Sequence, residues 1–526
     1  MRRAVPVIAT LCAAAIVAYA NLSAQSSPDP IVTIDSGALR GVARDGVMFY
    51  LGVPYAAPPV DHLRWREPQL PVKWQGVRAA DTFGNDCVQH RQYDQPQRED
   101  CLYLNVWTPA RAAGQRLPVM FWIYGGGLSY GSAAWPWYDG TAFARQGVVL
   151  VSINYRLARF GFFAHPAISA ETPGAVLGNY GFMDQIAGLQ WVRRNIAAFG
   201  GNPSDVTIFG ESAGGRSVNA LLVSPLSKGL FHKAIIESGA GRNQLRHIAE
   251  SRPGVGMSSE AMGVEFAKSA GLTNATAATL RALPAEVVRG PIGTTPPAFA
   301  NAMIDGRLVV EDFTETYKKG TQHQVPLMIG ANSAEFGTGA APEADAVFRS
   351  LGAYKDKALA LYDGYGTHDP KLVAMEITSD MGMNNGTRYV ARLIAKAGKP
   401  VYFFNFGYVP QAARATNPGA RHAAELVYVF DTPGSRTTRK QPASPVADAD
   451  RTVARQMNAY WANFAKAGDP NGSGLPRWPA YTLASDEALE FTPSDGPVAR
   501  EHYKAAKMAF WDSAYDAGFG ARRDTP

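Results

Sequence analysis

The residues with the clearest chemistry lie in Asp205-Val-Thr-Ile-Phe-Gly-Glu-Ser-Ala-Gly-Gly215. A β-branched, apolar run enters Gly210-x-Ser212-x-Gly214, and a helical stretch from Arg216 to Leu222 follows. This strand–turn–helix setting is the one that turns a serine into a nucleophile. The turn forces an unusual backbone conformation on Ser212, so its neighbours must be small. In return the hydroxyl stands clear of the sheet at a helix N-terminus, whose dipole favours developing negative charge. The chemistry would be acyl transfer: a base takes the hydroxyl proton, and peptide N–H groups stabilise the oxyanion that forms.

The same five-residue pattern occurs at Gly127-Leu-Ser129-Tyr-Gly131. There Ser-Ala-Ala-Trp-Pro136 follows, which does not begin a helix. Tyr124-Gly-Gly-Gly127 instead follows an apolar strand, as Gly-rich oxyanion loops do. Without side chains in the way, the N–H groups of Gly126 and Gly127, with that of Ala213, are the expected oxyanion donors. The base is one of nine histidines. His165, His232, His323 and His422 all lie near strand or helix ends, and chemistry alone leaves the choice among them open. For the acid, the apolar run from Val325 to Ile329 leads into a loop carrying Glu335, which puts a carboxylate at a strand's C-terminal end. Asp380 in Thr378-Ser-Asp-Met381 is the rival. Chain order in such a sheet runs nucleophile, acid, base.

Those groups need a scaffold that gathers strand ends. Apolar runs Leu117 to Tyr124, Val148 to Ile153, Val206 to Phe209, Val325 to Ile329 and Val401 to Phe406 alternate with helical patterns such as Phe182 to Phe199. This predicts an α/β fold with a large, mostly parallel sheet covered by helices on both faces. Val453, Met457, Trp461 and Phe464 mark one face of a late helix that stops at Gly468-Asp469-Pro470. The stretches 291–297 and 432–445 read as loops, and neither separates segments of different composition. One catalytic domain over 25–526 is expected.

Several further stretches run in order along the chain: Phe49-Tyr-Leu-Gly-Val-Pro-Tyr-Ala-Ala-Pro-Pro59, Glu99-Asp-Cys-Leu-Tyr-Leu-Asn-Val106, Gly125–Gly127 and Asn154-Tyr-Arg-Leu157. Gly178-Asn-Tyr-Gly-Phe-Met-Asp184, Phe199-Gly-Gly-Asn-Pro203, Gly210–Gly215 and Ala465-Lys-Ala-Gly-Asp-Pro-Asn471 complete the set. In these the chain resembles the type-B carboxylesterase and cholinesterase family. The resemblance implies the α/β-hydrolase fold, hydrolysis of carboxylic esters, and no metal or organic cofactor. Ala420-Arg-His-Ala-Ala-Glu-Leu-Val-Tyr-Val-Phe430 is similar to the family's stretch bearing the base, which points to His422. Asn332-x-x-Glu335 is similar to the family's acid position, although Ala334 and Phe336 replace the usual acidic residue and glycine around it. Glu211 and Ser238 are similar to family positions that surround the triad. The family also holds adhesion proteins that have lost the serine, a binding role that the presence of Ser212, Glu335 and His422 argues against. A lipase is the alternative enzyme, with 291–304 or 339–352 as its lid.

Composition sets the outer limits. Of 526 residues, 46% are hydrophobic and 18% charged, enough for a large buried core, and 10 Trp, 22 Tyr and 24 Phe argue against disorder. Arg2-Arg3, the apolar stretch Ala4 to Ala20, and Ala18-Tyr-Ala20 read as a cleavable leader over 1–24, with Ala20 and Ala24 as candidate cleavage sites. The apolar stretch is short for a membrane span, so the mature chain is expected to be exported, secreted or periplasmic, with no span. Removal of Cys12 would leave Cys87 and Cys101, which read as one disulfide. Loss of Arg2 and Arg3 lowers the formal charge from +6 to +4. The remaining basic clusters are scattered and lack interleaved aromatics, which excludes a nucleic-acid surface. The expected partner is a small-molecule ester, and the oligomeric state is left open. Arg216, one helical turn past Ser212, and Arg421, beside His422, are candidates for reading a free carboxylate on the ester. Tyr130 and Trp137 belong to an aromatic patch that is a candidate pocket lining. No Trp lies between Cys87 and Cys101, so a cation–π site for a quaternary ammonium is not expected there.

Overall fold

The computed structural model describes residues 30–519, except 110–111, 240, 243, 294–298, 300, 337–342, 365, 367, 436–444 and 494–495. The expected leader lies outside the described residues, as do parts of both expected loops and of both lid segments.

One sheet of eleven strands runs through the molecule. In chain order they are β1 (Val42–Arg44), β2 (Val47–Pro54), β3 (Tyr103–Thr108), β4 (Leu117–Ile123), β5 (Val149–Ile153) and β6 (Gly201–Glu211). Then come β7 (Lys233–Glu237), β8 (Leu327–Asn332), β9 (Val401–Phe406), β10 (Ala488–Thr492) and β11 (Gly496–Arg500). Their spatial order is β11-β10-β9-β8-β7-β6-β4-β5-β3-β2-β1. Pairings from β10 across to β5 are parallel, and those at both margins are antiparallel. β5 and β9 are buried along their whole length, as strands covered on both faces must be. A separate three-stranded sheet joins Ile31–Ile34, Gly37–Arg40 and Val77–Ala79.

The helices that matter for the site are α1 (Tyr180–Asn195), α2 (Ala213–Val223), α3 (Pro370–Ser379), α4 (Asn385–Lys396), α5 (Asp448–Ala467) and α6 (Ala505–Asp516). α5 stops where Gly468 takes a left-handed φ of 72°, the conformation glycine adopts without a Cβ penalty. Between α3 and α4 the chain passes through a π-turn at Asp380–Asn384. The main hydrophobic core fills both faces of the sheet, with Trp122 ringed by Tyr138, Phe209 and Phe430. A second cluster gathers Val347, Leu351, Ile377 and Trp511 around α3 and α6. Among the described residues no helix is long and apolar enough to cross a membrane.

Among the element boundaries that differ from the sequence reading, those of two strands bear on the site. β6 starts at Gly201, well before Val206, because Gly201 pairs with Leu117 ahead of a register shift that ends at Val206. β8 starts later than Val325 but runs on to Asn332, pairing with β9 up to Phe406. That extension carries the chain to the sheet's C-terminal edge just before Glu335.

Candidate active site

Ser212 sits between β6 and α2 with φ 56° and ψ −119°, a conformation that costs a non-glycine residue about 1–3 kcal/mol. Close packing enforces it. A Cβ on Gly214 would lie 2.0 Å from the Ile123 carbonyl oxygen, and one on Gly210 would lie 2.6 Å from the Gly214 backbone. The Ser212 N–H donates to the Glu237 carbonyl at 2.9 Å, tying the elbow to β7.

His422 and Glu335 converge on this serine from other elements. His422 Nε2 is 2.7 Å from Ser212 Oγ, and His422 Nδ1 is 2.5 Å from Glu335 Oε2. Glu335 Oε1 accepts from the Asn332 N–H at 2.7 Å and from Ser238 Oγ at 2.6 Å. Beyond β8 the chain pairs with the histidine loop: the Ala334 N–H donates to the Ala420 carbonyl at 2.9 Å, and the His422 N–H to the Glu335 carbonyl at 3.1 Å. The small Ala334 thus sits in a backbone bridge with Arg421.

Glu211, Glu335 and Glu425 act on the imidazole, and Glu237 acts in turn on Glu211 and Glu425. Glu211 Oε1 is 3.2 Å from His422 Nε2. Asn332 Nδ2 donates to Glu425 Oε2 at 2.5 Å, and Trp461 Nε1 to Glu237 Oε1 at 2.9 Å. Burial pushes the Glu211 carboxyl up to about 8 and that of Glu425 up to about 7, and raises that of Glu237 well above the usual range. Glu237 Oε2 and Glu425 Oε1 have no hydrogen-bond partner among the described residues, and Glu211 Oε1 has only the approach of His422 Nε2. Burial alone would lower the pKa of His422, but Glu211 and Glu335 override it and push it up to about 10. Glu237 and Glu425 were not singled out from sequence. The available signal was an ionisable residue inside an apolar stretch, as in Ala234-Ile-Ile-Glu237.

The glycine loop comes beside the elbow: a Cβ on Gly125 would lie 3.1 Å from Ser212 Cβ. Gly126 and Gly127 both have positive φ, 98° and 63°. Their N–H groups and that of Ala213 donate to no acceptor among the described residues. Ser129 lies inside this loop, its hydroxyl turned back onto the Gly126 carbonyl at 3.2 Å.

Asp380, His165, His232 and His323 stand outside the Ser212–His422–Glu335 chain. Asp380 accepts from Tyr362 at 2.9 Å and Lys504 at 2.8 Å, so it braces the π-turn. His165 and His232 each accept from a backbone N–H, and the His323 ring lies 2.7 Å from the Ser224 carbonyl. Arg421 is exposed, with its carbonyl held by Asn332 at 2.7 Å. Arg216 is different. Burial lowers its pKa, its guanidinium makes one long bond of 3.4 Å to Asn301 Oδ1, and no carboxylate pairs with it among the described residues. Tyr130 is half-buried beneath the Arg91 guanidinium, 3.8 Å from the ring centre, and Trp137 packs edge-on to Trp135. Trp135 and Tyr138 belong to the core. Cys87 and Cys101 form a disulfide.

A family model described as the carboxylesterase family matches residues 28–511. The chain belongs to that family. It has the α/β-hydrolase fold and is a carboxylic ester hydrolase. A fumonisin B1 esterase of Sphingopyxis macrogoltabida is 35% identical over 87% of this chain and 88% of its own length. A rabbit (Oryctolagus cuniculus) liver carboxylesterase 1 is 32% identical over 98% and 99%. Among solved structures, the carboxylesterase EST55 of Geobacillus stearothermophilus matches with a TM-score of 0.78 and 33% identity, over 91% of this carboxylesterase and 99% of that chain.

Proposed function

We propose that this carboxylesterase works through Ser212, His422 and Glu335, forming an acyl-enzyme. The observation that carries this reading is the continuous chain from Ser212 Oγ to His422 at 2.7 Å and from His422 to Glu335 at 2.5 Å. His422 Nε2 takes the hydroxyl proton as Ser212 Oγ bonds to the ester carbonyl carbon. The carbonyl oxygen becomes an oxyanion facing the N–H groups of Gly126, Gly127 and Ala213. The C–O bond to the alcohol then breaks, and His422 returns the proton to the leaving oxygen. Water repeats the sequence on the acyl-enzyme, releasing the acid and restoring Ser212. Glu335 holds the imidazole tautomer and stabilises its charged form. Ser212→Ala should lower kcat on p-nitrophenyl acetate by several orders of magnitude with the fold intact by circular dichroism. Substantial residual turnover would mean another nucleophile.

A finer reading concerns the substrate. Arg216, a guanidinium with no carboxylate partner among the described residues and one turn from Ser212, favours esters that bear a free carboxylate. Arg216→Ala should cost such esters about 1–3 kcal/mol in kcat/KM and leave neutral esters nearly unchanged. Equal losses on both would assign the arginine a structural part. Export with removal of residues 1–24 is the reading supported by the leader-like sequence and by a disulfide in the mature segment. Fractionation of expressing cells, with N-terminal sequencing of the product, checks it.

A further inference from the structure

We infer that Gln89 is a positioning residue for the oxyanion loop, clamping it from within the disulfide-closed segment; this rests on the serine-esterase reading above. Gln89 is buried to 1% exposure. Its Oε1 accepts from the Gly131 N–H at 2.9 Å, and its Nε2 donates to the Gly131 carbonyl at 2.9 Å. One side-chain amide thereby satisfies both backbone groups of one residue, as a paired strand would. Gln89 is itself fixed: Nε2 also donates to the Cys87 carbonyl at 3.1 Å, and its N–H donates to Gln97 Oε1 at 3.2 Å.

Neighbouring residues extend the clamp. The His90 ring packs edge-on to Tyr130 at 5.7 Å, with the Arg91 guanidinium over the same ring. Ser132 Oγ donates to Asp86 Oδ1 at 2.5 Å, and the Ala133 N–H to Asn154 Oδ1 at 3.0 Å. Residues 86–91 and Asn154 thus fix 130–133 at successive positions.

That grip reaches the oxyanion donors through backbone contact. The Gly126 carbonyl accepts from the N–H groups of Ser129 and Tyr130 at 3.0 and 3.1 Å, closing residues 126–130 into a turn. A Cβ on Gly126 would stand 2.0 Å from the Tyr130 carbonyl oxygen, so the two limbs touch with no slack. Gly131 has φ 142°, and a Cβ there would meet the Tyr124 ring at 2.4 Å and the Gly125 carbonyl oxygen at 3.0 Å. A shift at Gly131 therefore displaces Gly125 to Gly127. Replacing Gln89 by an apolar residue would also leave a buried N–H and C=O unpaired, which drives such a shift.

The test uses the whole enzyme. Gln89→Leu should lower kcat by about 10- to 100-fold, part of the loss seen when an oxyanion donor is deleted. KM should stay within about twofold, and affinity for an aryl trifluoromethyl ketone should fall by the same factor as kcat/KM, because its serine adduct carries the oxyanion. Gln89→Glu adds a readout that mere packing would not move. A neutral carboxylic acid both accepts and donates, whereas a carboxylate only accepts. The Gln89→Glu to wild-type activity ratio should therefore fall as pH rises from 6 to 9, which a flat ratio would contradict; this arm decides the matter if Gln89→Leu does not fold. A folded Gln89→Leu with unchanged kcat or unchanged ketone affinity overturns the inference. Ser212→Ala run in parallel separates the two failures. If it stays active the esterase reading falls, and if it is dead while both Gln89 variants behave like wild type, only the clamp does.

Discussion

At the scale of single residues, Ser212 lies in hydrogen-bond reach of His422, which sits among several buried acids. If His422 is the base proposed above, only its neutral form can act, and kcat/KM should rise with pH as the imidazole loses its proton. An unperturbed imidazole titrates near ~6.5. Here burial opposes protonation, but Glu211 and Glu335 hold the proton on and move the rise to higher pH. Burial also pushes Glu211 up to about 8, so the carboxyl and the imidazole compete for protons. Glu211→Gln removes one of the charges that favour imidazolium, so the rising limb of the pH–rate profile should shift to lower pH. An unmoved limb would mean Glu211 stays protonated throughout. Glu335→Gln should cost near ~10⁴-fold in kcat by the serine-protease precedent, measured at the wild-type pH optimum. The strand–turn–helix around Ser212 was legible from a local pattern, since strand, glycines and helix adjoin it in sequence. Glu237 and Glu425 were not, because Glu425 acts on His422 and Glu237 on Glu211 and Glu425 only once strands and loops far apart in the chain come together.

At the scale of elements, the glycine loop and the disulfide segment act on each other. Gly126→Ala meets the Tyr130 carbonyl at 2.0 Å and strains a φ of 98°. If Gly126 is an oxyanion donor as proposed, the change should lower kcat by about 10²-fold or more, with KM little changed in steady-state kinetics. Replacing Cys87 and Cys101 together by Ser opens a loop of sequence separation 14 and should cost about 3 kcal/mol in urea unfolding. An unfolding midpoint equal to wild type would show that hydrogen bonds such as those of Gln89 hold the segment unaided. The loop's glycines announced themselves in sequence, but the clamp did not: Val88-Gln-His-Arg91 has no periodicity or motif. Nor was the π-turn at Asp380–Asn384 legible, since it depends on Lys504 and Tyr362 reaching Asp380 from elsewhere. Its Asn384 Nδ2 donates to the Asn332 carbonyl at 3.3 Å, so it backs the strand end that leads to Glu335.

Across the whole molecule, the alternation of apolar runs and helical patterns was enough to read the parallel sheet, because strands covered on both faces need uninterrupted apolar sequence. The early start of β6 escaped that logic, since Gly-Asn-Pro-Ser carries turn residues yet Gly201 pairs ahead of a register shift. The motifs Asn154-Tyr-Arg-Leu157 and Gly178 to Asp184 proved to be two halves of one buried pair. Arg156 Nη2 meets Asp184 Oδ1 at 2.7 Å, and both residues are almost fully buried. Asp184→Ala should therefore cost about 3–5 kcal/mol in equilibrium unfolding, by stranding the guanidinium, and should leave kcat of the folded fraction near wild type. The sequence distance between Ser212 and His422, 210 residues, has a consequence for how the protein is made. A ribosome that has delivered the elbow has delivered Ser212 without the histidine that meets it, and Glu335 arrives before His422 does. Even then α5, synthesised later, must still bring Trp461 to Glu237 beneath the elbow. If Ser212, Glu335 and His422 act together as proposed, a chain truncated before α5 should be inert toward esters, which assays of such truncations check.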